Sequence, residues 1–82
     1  MNSDVTVYNF QDRKNYMITE TLIDVKNALD SQGFNGINQI VGYLLSDDLS
    51  YITDYKDARR KIAKINRDEI IEALLKDYLR NL

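Results

Sequence analysis

Eighty-two residues with 13 acidic and 11 basic side chains, a net charge of −2, no Cys and no His make one small domain. The missing Cys and His exclude disulfides and leave zinc without its usual ligands, while the mixed charge speaks against a general nucleic-acid binder, which needs to neutralise phosphates. No apolar run approaches the roughly 20 residues of a membrane span, and Met1-Asn2-Ser3-Asp4 lacks the basic start and apolar core of a signal peptide. A cytoplasmic protein with no membrane insertion is therefore expected. A chain this short buries only roughly 60–65% of its unfolded surface. With disulfides and metals unavailable, a homodimer is the expected way to make up the deficit.

Residues 1 to about 15 show no sustained helical period. Val5 and Val7 alternate with polar neighbours, but a lone strand has no ladder partner. A flexible N-terminal tail over 1–15 is expected, with a weak aromatic anchor at Tyr8 and Phe10, followed by a helical domain over 16–82. Ile18, Leu22, Val25 and Leu29 recur at helical steps and predict a first helix over 15–32. Gly33 follows as a residue suited to positive φ at a helix end, and Asn35 can cap a second helix over 36–45. Ser46-Asp47-Asp48 offers caps for a short turn over 49–52. Thr53 or Asp54 can open a helix over 55–65 with Ala58, Ile62 and Ile65 inward. Asn66-Arg67-Asp68-Glu69 matches a capping box ahead of a last helix to about Arg80. There Ile70, Ile71, Leu74, Leu75, Tyr78 and Leu79 form the clearest amphipathic stripe of the chain. The expected fold is all-α, a small compact bundle of about four to five helices.

Within Ile37–Leu45 two amides (Asn38, Gln39) and a glycine interrupt an apolar run. Gly42 costs about 1 kcal/mol against Ala in a helix interior, which implies a close approach to its backbone. Ile40, Gly42, Tyr43 and Leu44 are therefore candidate contact residues, either across a dimer or inside the monomer. Lys56, Arg60, Lys64 and Arg67 fall at steps of 4, 4 and 3 on one helix face, and Arg59 and Lys61 widen it. That stripe reads either as an ordinary solvated face or as a docking surface for acidic groups, including a phosphate on the tail. Asp47, Asp48, Asp54 and Asp57 lack the spacing of a calcium loop and read as caps. With no Gly-rich phosphate loop and no candidate base for Ser46 except carboxylates, neither enzymatic activity, cofactor nor small-molecule substrate is expected. An alternative reading pairs 37–45 with 55–65 as a small helix-turn-helix-like DNA-binding regulator, with the basic stripe on phosphates.

Three segments carry a resemblance. Gly36-Ile37-Asn38-Gln39-Ile40-Val41-Gly42-Tyr43-Leu44-Leu45-Ser46, then Asp57-Ala58-Arg59, and Arg67-Asp68-Glu69-Ile70-Ile71-Glu72 with Tyr78-Leu79 resemble the IreB-like (ReoM-like) regulatory proteins of Gram-positive bacteria. The resemblance implies an all-helical homodimer whose tail is phosphorylated on Thr by a transmembrane PASTA-type Ser/Thr kinase and dephosphorylated by its phosphatase. It also implies a protein target in the control of peptidoglycan precursor synthesis. Thr6 is the only Thr of the tail and takes the phosphosite assignment, with Ser3 as the second candidate. Where the family pattern after Leu45 reads roughly Ser-Gly-Asp-Pro-Ala-Tyr-Ile-Pro-Arg, this chain has Ser46-Asp47-Asp48-Leu49-Ser50-Tyr51-Ile52-Thr53-Asp54, without the glycine and both prolines.

Overall fold

The computed structural model describes residues 10–82, with side chains from residue 13 onward. Four α-helices follow one another: α1 (Phe10–Ser31), α2 (Gly36–Ser46), α3 (Ala58–Ala63) and α4 (Arg67–Arg80). Two 3-10 turns, Leu49–Tyr51 and Tyr55–Asp57, fill the connection between α2 and α3. Among the described residues there is no strand, so the fold is all-α.

α1 is the spine against which α2 and α3 pack, with α4 touching it more lightly. Its core stripe is Ile18, Val25, Ala28 and Leu29, the spacing that puts side chains on one helical face. α1 starts at Phe10 rather than at residue 15. Near its start the Thr19 hydroxyl donates to the Asn15 carbonyl (2.9 Å), and Lys14 Nζ meets Glu69 Oε2 at 3.0 Å. Gly33 ends α1 at φ +88°, and Phe34 N–H reaches back to the Leu29 carbonyl (3.0 Å). This is the positive-φ helix end for which glycine has no steric penalty.

α2 is tied down at both ends. Asn35 Oδ1 accepts from Asn38 N–H (3.0 Å), and Asp30 Oδ1 accepts from Gly36 N–H (2.9 Å), so two side chains cap its first turn. A Cβ at Gly36 would come within 2.9 Å of the Lys26 carbonyl oxygen, which is why α2 approaches α1 so closely here. Asp48 Oδ1 caps the first 3-10 turn by accepting from Ser50 N–H (2.9 Å).

The helix expected over 55–65 is broken. Lys56 (φ 53°) and Asp57 (φ 62°) are both left-handed, so the segment opens as a 3-10 turn and α3 keeps six residues. Ala58 and Ile62 are buried as expected. The capping box at 66–69 does not form either. Asn66 stands at the N-cap without a side-chain bond, and Glu69 points to Lys14 instead of back to the cap.

The core is Ile18, Val25, Ala28, Leu29, Ile40, Tyr43, Ile52, Ala58, Ile62 and Ile70, with Leu22, Leu44, Leu49, Ile65 and Ala73 packed at its edge. α4 contributes Ile70 alone as a fully buried side chain. The rest of its apolar stripe, Ile71, Leu74, Leu75, Tyr78 and Leu79, faces solvent in the protomer.

Candidate functional site: the basic face of α3 and the corner at Arg67

The basic residues predicted to share a face divide into two kinds. Lys56, Arg60 and Lys64 are exposed and make no ion pair among the described residues. Lys56 Nζ stands 5.5 Å from the centroid of the Tyr55 ring, close enough for a cation–π contact. The left-handed pair Lys56–Asp57 holds this part of the face, and non-glycine residues in that region cost of order 1–2 kcal/mol each. Lys61 pairs with Asp24 across to α1 (3.3 Å).

Arg59 and Arg67 have structural employment instead. Arg59 Nε–H donates to the Ile52 carbonyl (2.8 Å), holding the loop before α3. Arg67 Nη1 donates to the Leu44 carbonyl (2.8 Å), and its Nε lies 3.1 Å from Asp47 Oδ1. One guanidinium therefore caps the C-terminus of α2 from the first residue of α4. Asp47 sits at φ 61° with its N–H on the Tyr43 carbonyl (2.8 Å), completing that end.

The candidate contact run Ile40, Gly42, Tyr43 and Leu44 comes together inside the protomer. Ile40 and Tyr43 are buried, and Leu44 packs at the core edge. The close approach implied by Gly42 is made by Tyr51: a Cβ at Gly42 would lie 2.5 Å from Tyr51 Cε1. Gln39 Nε2 fastens the same residue by donating to the Tyr51 carbonyl (3.0 Å), and the Ser46 hydroxyl donates to the Gly42 carbonyl (2.7 Å). Gly42 stands out in the sequence and its partner does not, because residues nine positions apart carry no periodic signal linking them.

Three titrating groups mark the ends of α2. The Lys26 ammonium, then the Gly36 N–H, hold the Asp30 carboxyl below its ordinary value. The Ser50 side chain and N–H do the same for Asp48. Burial, with Asp47 adding to it, pushes the Tyr43 hydroxyl up. Among the described residues no group of three or more His, Cys, Asp or Glu could hold a metal ion. No described helix is long and apolar enough to cross a membrane. Thr6 and Ser3, the expected phosphosites, lie outside the described residues.

Among the described residues the exposed features are thus a cationic face on α3 and an apolar stripe on α4. The family model of the IreB regulatory phosphoprotein matches residues 3–80, and the chain belongs to that family. It is accordingly a regulatory phosphoprotein, with proteins as its partners.

Proposed function

We propose that this chain is a cytoplasmic, non-enzymatic adaptor whose activity is switched by phosphorylation of Thr6. A transmembrane PASTA-type Ser/Thr kinase adds the phosphate and its cognate phosphatase removes it. Unphosphorylated, the protein restrains peptidoglycan precursor synthesis by contact with a target protein, and phosphorylation relieves the restraint. Membership of the IreB family carries this reading. Lys56, Arg60 and Lys64 support it, since three exposed charges without carboxylate partners among the described residues suit the acidic surface of a second protein. Acting on DNA is less well supported: the six residues of α3 are a short insert for a major groove.

The adaptor works as a homodimer. In α4, Ile71, Leu74, Leu75 and Tyr78 fall within an arc of about 100°, and Leu75 and Tyr78 are 54% and 67% exposed. The buried side of the helix, at Ile70 and Ala73, lies on a different arc. A helix of 14 residues is marginal in water on its own, and an apolar stripe brought against its own copy across a two-fold axis is covered at one stroke.

The deciding experiment is the intact mass of the protein after incubation with the cytoplasmic domain of the kinase. Wild type should gain the mass of a single phosphate and Thr6→Ala none. An unchanged wild-type mass, with the kinase shown active on itself, would overturn the proposed switch.

A further inference from the structure

We propose that the corner between the C-terminus of α2 and the N-terminus of α4 is a phosphate-monoester site, occupied by the phosphothreonine at position 6 of the same chain. The proposal rests on the reading that Thr6 is phosphorylated and says where that phosphate acts.

The corner is a concave pocket of about 540 Å³ lined by Tyr43, Asp47, Asn66, Arg67, Asp68 and Ile71 among others. Three kinds of donor converge on it. Tyr43 is only 4% exposed, and its hydroxyl has no hydrogen-bond partner among the described residues. A buried phenol O–H without an acceptor is unusual enough to call for one. Arg67 uses Nη1 on the Leu44 carbonyl and Nε on Asp47, which leaves guanidinium N–H groups over. The third donor set is the start of α4. Asn66 makes no side-chain cap, and Glu69, which a capping box would turn back to it, is held by Lys14. Of its first-turn N–H groups, those of Arg67 and Asp68 have no acceptor among the described residues and favour an anion, whereas the Glu69 and Ile70 N–H groups bond the Asn66 carbonyl (3.1 and 3.2 Å).

Two carboxylates share the pocket, and neither forecloses it. Asp68 Oδ1 is turned back to the Glu69 N–H (3.0 Å). Asp47 pairs with Arg67, but its side chain is 64% exposed, where such pairs contribute little. A phosphate of charge about −1.5 to −2 offers Arg67 a stronger, bidentate partner. Phosphate and Asp47 thus compete for one guanidinium.

Reach selects the occupant. The Lys14–Glu69 pair places the start of α1 beside the first turn of α4. Phe10 stands about 6 Å further along α1 from Lys14, and the four residues back to Thr6 span up to about 14 Å. The corner lies two residues from Glu69, at the end of the basic stripe nearer the start of α1. The far end of the basic stripe is beyond that reach: Lys56 lines a groove with Ala28 and Ser31, about 27 Å down α1 from Phe10. A phosphate on Thr6 therefore cannot cover the whole α3 face of its own chain. It acts instead by drawing Arg67 from Asp47, at the point where α2 and α4 are joined.

The test uses the full 82-residue chain made by chemical synthesis with phosphothreonine at position 6, so that no kinase is involved. We expect the second phosphate pKa, read by 31P NMR, to fall by about one unit relative to a free phosphothreonine peptide. The Arg67 and Asp68 amides and Arg67 Nε–H should shift with it. Arg67→Gln and Tyr43→Phe should each restore most of the peptide value, and Asp47→Asn should lower it further. Tyr43→Phe removes one oxygen and keeps the ring, so the test survives even if Arg67→Gln does not fold. A phosphate that titrates like the peptide, or shifts confined to Lys56, Arg60 and Lys64, would overturn the site. A 31P shift that grows with protein concentration would overturn the same-chain assignment. Inorganic phosphate added to the unphosphorylated chain should move the same amides only at much higher concentration, and equal potency would show that the tail contributes nothing. A kinase that leaves Thr6 untouched would sink the proposed switch and leave this result standing.

Discussion

α2 and α4 look alike in sequence, each an apolar stripe of helical period, yet they end in opposite circumstances. α2 buries Ile40 and Tyr43, lies under Tyr51 at Gly42, and is tied at one end by Asn35 and Asp30 and at the other by Arg67. α4 buries Ile70, holds α1 through one exposed ion pair, and presents its best stripe to solvent. Periodicity reports that a face must be covered; it does not report what covers it. In α2 the cover is the rest of the protomer, and in α4 it is the second protomer of the proposed dimer.

That contrast can be broken most sharply by truncation. Tyr43→Ala should cost about 3–5 kcal/mol, as removal of a buried aromatic does, and urea melts will show it. Leu75→Lys should leave the helical circular dichroism of the protomer nearly intact while converting the dimer to a monomer in sedimentation equilibrium. A dimer that survives Leu75→Lys would place the interface elsewhere, with the exposed Phe34, Ile37, Val41 and Leu45 of the α2 side as the next face to test.

A smaller effect sharpens the account of α2. Gly42→Ala gains helix propensity of about 1 kcal/mol but drives a methyl into the Tyr51 ring, an overpacking of about 1–3 kcal/mol. A net loss of about 1 kcal/mol is expected. In the background of Tyr51→Ala the same change should become neutral or stabilising, which a double-mutant cycle measures directly.

Caps separate the two helices again. Asn35→Ala removes a formed cap and should cost about 1 kcal/mol. Asn66→Ala removes none and should fall within about 0.3 kcal/mol of wild type. Equal losses would mean that α4 is capped in solution after all.

The smallest effect is in pH. The Asp30 carboxyl is held below its ordinary value by the Lys26 ammonium and the Gly36 N–H, so its contribution is present above the unfolded pKa of about 3.9 and lost as pH falls through the lower folded value. Asp30→Asn should flatten the decline of stability below about pH 4.

Much of this was legible in the sequence, and the exceptions share a cause. Gly33 and Asn35 announced the turn between α1 and α2, and the structure uses both as expected. The spacing of Ala58 and Ile62 announced the buried side of α3, and hence its basic outer side. The errors came where a distant residue claimed a local group. Glu69 was read as part of a capping box and went to Lys14. Arg67 keeps the stripe's spacing and also caps α2, a tie that its place in the stripe does not announce. The helix expected over 55–65 gave way to two left-handed residues, for which neither Lys56 nor Asp57 carries the glycine signal that would have marked them.

The half-covered state of α4 has a consequence for how much of this regulator a cell can hold. In the proposed dimer, α4 completes its folding only in company and is governed by mass action: scarce protein would leave it frayed, abundant protein would seal it. The last turns around Leu79 and Leu82 would then be open to housekeeping proteases at low copy number and closed to them at high, so the lifetime of the molecule would track its own abundance.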